Sequence, residues 1–154
     1  MASFEFLAII LTGLGLTASL TYYSLQIRNQ NKTRQTQLYM QLLDRVSSEE
    51  NRLRAVEVLQ QDYKDYNDFM QKWGMHSNPV GYSKRIHVLS ELDGIGHLLY
   101  KGLIDFDLLH PIILASAELH WEKWKPIIYE LRKINPERQK YLEYLYNEIQ
   151  KQKE

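Results

Sequence analysis

Residues 6–25 read FLAIILTGLGLTASLTYYSL, a run of twenty residues without a formally charged side chain. At a rise of 1.5 Å per residue, a helix of that length is about 30 Å long, which matches the hydrocarbon core of a bilayer. A buried core helix would normally carry a polar stripe with charges, and this run has none. We therefore predict a transmembrane anchor over residues 1–27, with about 6–25 inside the membrane.

A cleaved signal peptide is the main alternative for this segment. Its first region should carry Lys or Arg, whereas residues 1–5 carry only Glu5. The bulky side chains of Tyr22 and Tyr23 follow the candidate small residues Ala18 and Ser19, so no good cleavage site is present. We expect the segment to be retained.

The charges that flank the anchor predict its orientation. No Lys or Arg precedes it, and Arg28, Lys32 and Arg34 follow it, with no acidic residue before Asp44. The positive-inside rule then places the short N-terminus outside and the C-terminal part in the cytoplasm of a single-pass protein of the cell membrane.

Small and hydroxyl-bearing residues of the anchor are grouped by helical spacing. One face carries Gly13, Thr17, Thr21 and Ser24. Small residues four apart allow helices to approach closely in a bilayer, so this face is a candidate packing surface for other transmembrane helices, in a homo- or hetero-oligomer. The alternative is that Gly and Thr are simply common in such helices. The opposite face carries Thr12, Gly15 and Ser19.

The overall composition excludes several classes of protein. Nineteen Lys and Arg residues balance nineteen Asp and Glu residues. A nucleic-acid binder normally has a basic excess, so we expect the lipid bilayer and other helices as partners, and no nucleic acid. The chain has no Cys, which excludes disulfides, thiolate metal sites and cysteine nucleophiles. We predict no cofactor.

The rest of the chain has the apolar spacing of helices and no alternating strand pattern. We predict a helical stalk over residues 28–46 and a small antiparallel helical bundle over residues 47–154, so the fold class is all-α. A helix should begin at the Ser47–Glu50 capping box and continue to Gly74. The next should begin after Ser83 and end at Gly102, and another should have Pro111 in its first turn. The last should follow residues 135–137.

Two glycines interrupt the helix predicted after Ser83. Gly94 and Gly96 each cost about 1 kcal/mol relative to Ala inside a helix, so something should compensate for them. A close helix crossing is one explanation, and a backbone approach to a ligand is the other.

Few residues have the spacing of a chemical site. Asp93 and His97 stand four apart, so both could face one point as a ligand, metal or acid–base pair, or simply form a surface pair. The chain has no Glu-x-x-His, His-Glu-x-x-His or Gly-x-Ser-x-Gly pattern, so we name no catalytic residue and no metal site.

Several segments resemble those of a known family. They are residues 91–96 (ELDGIG), 101–105 (KGLID), 121–123 (WEK) and 126–128 (PII). The chain resembles a family of small prokaryotic proteins, described only as a domain of unknown function, that often carry an N-terminal membrane helix. The resemblance covers the anchor and roughly the last seventy residues, and no motif in residues 47–82 carries it. It implies the same membrane-tethered helical layout and no catalytic residue.

Two classes of function remain open. The first is a membrane-tethered, non-enzymatic interaction module, an accessory subunit or adaptor of a membrane-associated complex. The second is a small membrane-bound enzyme or a ligand or metal sensor that uses the bundle interior around Asp93 and His97. The small-residue faces, the neutral charge and the missing motifs favour the first.

Overall fold

A computed structural model describes residues 2–153, with side chains described from residue 4 onward. This part of the chain is helical and contains no strand, which confirms the all-α prediction. Its elements are α1 (Ala2–Ser47), α2 (Glu49–Leu59), α3 (Tyr66–Trp73), α4 (Pro79–Tyr100), a 3₁₀ turn (Phe106–Leu108), α5 (Pro111–Arg132) and α6 (Lys140–Lys151).

The chain divides into two compact units, Met1–Leu38 and Tyr39–Glu154. The first unit contains α1 up to Leu38, and the large apolar side chains of this part are exposed from Phe4 to Ile27. This helix is long and apolar enough to cross a membrane, a property that it shares with signal sequences. The predicted boundaries at residues 27 and 46 stay predictions.

The second unit has one hydrophobic core between α2, α3, α4, α5 and α6. Trp121 and Trp124 of α5 are 1% and 0% exposed and form its centre. Helical spacing predicts an apolar stripe along each of α4, α5 and α6, and most residues of these stripes are buried. Their buried members include Val88, Leu92, Ile95, Ile113, Ala117, Trp121, Trp124, Ile128, Leu142, Leu145 and Ile149.

Polar contacts show that α5 and α6 run antiparallel, and that α2 and α4 do so too. Glu118, early in α5, accepts a hydrogen bond from Gln150 at the end of α6 at 2.9 Å. Tyr129, late in α5, donates one to Glu143 near the start of α6, also at 2.9 Å. An ion pair between Glu57 of α2 and Lys84 of α4 connects these two helices. Gln61, just after α2, also donates a hydrogen bond to the Gly81 carbonyl of α4. The predicted antiparallel bundle is confirmed.

The single helix predicted between residues 47 and 74 is wrong, because the chain breaks after α2. Gln61 is buried and donates to the Gly81 carbonyl at 3.0 Å, which pulls the chain out of the helix. Tyr63 stacks on Trp124 at 5.4 Å between ring centroids. Asp65 then caps α3 by accepting the Asp68 N–H at 2.9 Å. These side chains bond to helices distant in sequence, so local spacing did not reveal the break.

Other helix starts also differ from the prediction. Ser48 caps α2, one residue after the predicted Ser47, by accepting the Asn51 N–H at 3.3 Å. α4 begins four residues before Ser83, where Asn78 accepts the Gly81 N–H at 2.8 Å and Pro79 is the first helical residue. The first helical position needs no backbone N–H, so Pro fits there. Residues 79–82, which the prediction places between two helices, therefore begin α4.

Candidate functional site

The four small residues predicted as a packing face lie along one side of α1. Gly13, Thr17, Thr21 and Ser24 are all exposed. A Cβ atom added to Gly13 would find no heavy atom within 4 Å, so a partner's backbone has open access to this point. The face is therefore available for a neighbouring helix, and its use remains a prediction.

Four hydroxyl groups in the apolar stretch of α1 are hydrogen-bonded within the helix itself. Thr17 donates to the Gly13 carbonyl and Thr21 to the Thr17 carbonyl, both at 2.9 Å. On the opposite face, Thr12 and Ser19 donate to carbonyls four residues earlier at 2.8 Å. An unpaired hydroxyl would be unfavourable in hydrocarbon, so these bonds make the polar residues of α1 compatible with a lipid environment.

Asp93 has a structural role in the bundle. Its Oδ1 accepts hydrogen bonds from the backbone N–H groups of Tyr141 and Leu142, both at 2.9 Å. These are the second and third residues of α6, whose own N-cap residue, Gln139, makes no capping hydrogen bond. Asp93 therefore caps α6 from a neighbouring helix, and its negative charge favours the positive end of that helix dipole.

Gly96 and His97 contact the same turn of α6. A Cβ added to Gly96 would lie 2.0 Å from the carbonyl oxygen of Tyr141, so the two helices cross with almost no space between their backbones. The His97 ring stacks on the Tyr141 ring at 4.3 Å between centroids. The close-crossing explanation thus holds for Gly96. Gly94 is exposed, and an added Cβ there would meet nothing within 4 Å.

The structure brings Asp93 and His97 together on Tyr141 and its neighbour Leu142. Oδ1 of Asp93 is occupied by two backbone donors. Across residues 2–153, no group of three or more His, Asp or Glu side chains is placed to hold a metal ion. A ligand or metal at this pair stays a prediction from sequence alone.

Sequence reasoning missed a buried cation, Arg85 of α4. Its side chain is 2% exposed, and its guanidinium lies over the Phe69 ring at 4.4 Å from the centroid. The spacing held a signal, because Arg85 lies three residues before Val88 and seven before Leu92 on the stripe that faces the core. A lone Arg on an apolar stripe departs from the helical pattern, and this departure identifies Arg85 as a candidate buried cation.

A second buried group that the sequence did not single out is His120 of α5. Its Nδ1 lies 2.7 Å from the Ser116 carbonyl oxygen, and its Nε2 lies 3.3 Å from the Ala55 carbonyl oxygen. A neutral imidazole has one N–H and can donate to only one of these oxygens. Burial nevertheless lowers the pKa of His120, because the charged form is poorly solvated there.

Comparison with known proteins identifies a family and no enzyme. The family model described as Domain of unknown function (DUF4760) matches residues 4–149. No curated protein and no solved structure matches the chain. The matched range includes residues 47–82, for which the resemblance seen in the sequence had no motif. Since residues 4–149 cover nearly all of α1 and of the bundle, the protein belongs to the DUF4760 family.

Proposed function

We propose that the protein is a membrane-tethered, non-enzymatic interaction module, an accessory subunit or adaptor of a membrane-associated complex. In this proposal α1 is a single-pass anchor in the cell membrane, the short N-terminus lies outside, and the helical bundle lies in the cytoplasm. The partners are the bilayer and other transmembrane helices.

The observation that carries the proposal is the exposed apolar surface of α1. Phe6, Ile9 and Leu20 are 66%, 70% and 67% exposed in a stretch without charges. Apolar surface in water is unfavourable by about 25 cal/mol per Å², so about twenty such residues need an apolar environment. A bilayer supplies this environment over the length of the apolar stretch. The hydrogen bonds of the Thr17 and Thr21 hydroxyl groups within the helix reduce the free-energy cost of placing these groups in hydrocarbon.

The charge pattern supports the orientation. Arg28, Lys32 and Arg34 are exposed on α1 directly after the apolar stretch. Cations at this position favour the cytoplasmic side and can contact anionic lipid headgroups, at about 1 kcal/mol each. Tyr22 and Tyr23 precede them, where aromatic rings commonly anchor a helix at the membrane interface.

Membrane insertion and orientation can be tested with single cysteines, because the natural chain has none. We expect the full-length protein to stay in the membrane pellet after alkaline carbonate extraction. In intact cells, an impermeant maleimide should label Phe4→Cys but label Lys153→Cys only after permeabilisation. Release by carbonate would refute the anchor, and labelling of Lys153→Cys in intact cells would refute the orientation.

The packing face can be tested with a photoactivatable crosslinker attached to Ser24→Cys. Leu25→Cys is the neighbouring position, on the separate helix face that carries Leu7 and Leu11. We expect a defined crosslinked product from position 24 and much less from position 25. Adding Gly13→Leu and Thr17→Leu should abolish the product, because two Leu side chains hold a partner backbone away. Leu7→Ile with Leu11→Ile is the matched control and should leave it intact. A product unaffected by the Gly13 and Thr17 changes would contradict a role for this face.

A further inference from the structure

The Arg85 side chain places a positive charge among aromatic rings. Besides Phe69, its guanidinium lies over the rings of Tyr82 at 5.1 Å and Trp124 at 5.3 Å from the centroids. Such rings attract a cation, but they supply no counter-charge. Burial lowers the pKa of Arg85 to about 10, so the side chain is still charged at neutral pH.

The hydrogen bonding of this guanidinium is incomplete. It carries five N–H donors, and within the described residues its one hydrogen bond runs from Nη1 to the Trp73 carbonyl at 3.2 Å. Elsewhere in the bundle the pattern is different, since Arg54 pairs with Glu50 and Arg132 pairs with Glu143. Among residues 2–153 Arg85 has no ion-pair partner, and a buried charge without a paired anion is unfavourable.

A pocket of about 300 Å³ opens beside Arg85. Arg138 also lines it, and the repulsion between the two cations contributes to the lowered pKa of Arg85. The remaining walls are largely apolar, with Met70 and Leu131 among them, and the pocket lining includes no Asp or Glu among residues 2–153. The volume is at the lower end of the range for small-molecule sites.

We infer that this pocket binds a small organic anion, a carboxylate with a compact apolar body, between the guanidiniums of Arg85 and Arg138. Guanidinium groups match the planar, two-oxygen geometry of a carboxylate, and they pair with it through parallel hydrogen bonds. The apolar walls suit a small hydrocarbon or aromatic body better than a fully hydrated inorganic ion. The site lies in the bundle, and it does not depend on the role proposed for α1.

Fluorine NMR of full-length protein in mild detergent tests this inference with 4-fluorobenzoate as the probe. Its neutral analogue, 4-fluorobenzamide, keeps the apolar body and removes the charge. We expect saturable binding of the benzoate with a Kd of about 1 mM or below and binding of the benzamide weaker by about tenfold or more. Sulfate serves as an inorganic anion, and it should bind more weakly than the benzoate.

Two variants assign the binding to the pocket. Arg85→Met removes the buried charge at similar volume, and Arg138→Gln removes a half-buried charge, so the second variant remains informative if the first fails to fold. Each should weaken 4-fluorobenzoate binding by about tenfold or more. Arg52→Gln, an exposed arginine on α2, is the matched control and should bind as the natural protein does. Detergent micelles without protein measure the partition of the probe into micelles.

The inference would be overturned by any of three results. These are no saturable binding of 4-fluorobenzoate to the natural protein, equal binding of 4-fluorobenzamide, and unchanged binding in Arg138→Gln. Binding of sulfate without binding of the benzoate would likewise overturn the assignment of a carboxylate ligand. None of these outcomes would affect membrane insertion of α1, so the two proposals fail independently.

Discussion

Replacing Gly96 by Ala adds one methyl group at the point where α4 crosses α6. The new Cβ would lie 2.0 Å from the carbonyl oxygen and 2.6 Å from the carbonyl carbon of Tyr141. Real Cβ atoms essentially never lie within 3.0 Å of another heavy atom, so the two backbones would have to separate by about 1 Å or more. The obstacle is backbone, which no rotamer change can move aside.

That separation would also affect the cap on α6. Asp93 holds the N–H groups of Tyr141 and Leu142 at 2.9 Å on the turn that must move. Overpacking costs about 1–3 kcal/mol, and a lost hydrogen bond to a charged group adds about 1.5–3 kcal/mol. We therefore expect Gly96→Ala to lower the free energy of unfolding by about 3–5 kcal/mol, a large part of the stability of a small domain.

Gly94→Ala is the matched control, because it makes the same change two residues earlier in the same helix. An added Cβ there meets nothing within 4 Å. Ala loses less conformational entropy than Gly on folding, so this variant should be about 0.5–1 kcal/mol more stable than the natural protein. The two substitutions should thus act in opposite directions.

Tryptophan fluorescence during urea unfolding of the full chain in mild detergent measures both effects. All three Trp residues, at positions 73, 121 and 124, lie in the bundle, so the signal reports the bundle and not α1. The midpoint should move down for Gly96→Ala and slightly up for Gly94→Ala. If the two variants differ by less than about 1 kcal/mol, the close crossing of α4 and α6 is refuted.

The remaining predictions concern single side chains of the bundle, read out by the same unfolding measurement. Asp93→Ala should destabilise the bundle by about 1–3 kcal/mol and Asp93→Asn by less, because Asn keeps an acceptor for the two N–H groups of α6; equal stability of Asp93→Ala and the natural protein would contradict the cap. His120 has a pKa below its unfolded value of 6.5, so the unfolded chain binds more protons below that pH and stability should fall as pH drops from 7.5 to 5, by at most about 1.4 kcal/mol per pH unit. This share of the pH dependence should be missing in His120→Gln, and an unchanged profile would exclude it. Gln139 has a left-handed φ of 47°, so Gln139→Gly should stabilise the bundle by up to about 1 kcal/mol, and a loss of stability would argue against backbone strain there.

Much of the helical architecture was readable from spacing. The apolar run before Arg28 predicted one long exposed helix, and the stripes in α4, α5 and α6 predicted the buried residues of those helices. Gly102 follows α4 as expected, and it has the positive φ of 64° that favours glycine. These patterns depend on local backbone geometry alone, so they can be predicted without knowing which helix packs against them.

The wrong predictions for residues 47–74 have one cause, which is that side chains there bond to helices distant in the chain. Residues 60–65 leave the helix because Gln61 and Tyr63 bond to α4 and α5. Helical spacing over residues 47–74 predicts Leu53 and Val56 on the apolar side of one helix, but both are exposed and Val58 is buried. Helical periodicity identifies the buried face only while the helix is continuous. A break changes which residues on either side of it face the core.

Residue spacing along the chain was enough to establish the helical class, the apolar N-terminal rod and the faces that enter the core. Packing across the bundle alone determined what Asp93, Gly96 and Arg85 do, because their partners lie in other helices. Asp93 and the N–H groups of Tyr141 and Leu142 are 48 and 49 positions apart in the chain. The 3.6-residue repeat of a helix determines which face each side chain lies on. A cap, a helix crossing or a buried charge depends instead on which residues of another helix pack against that face.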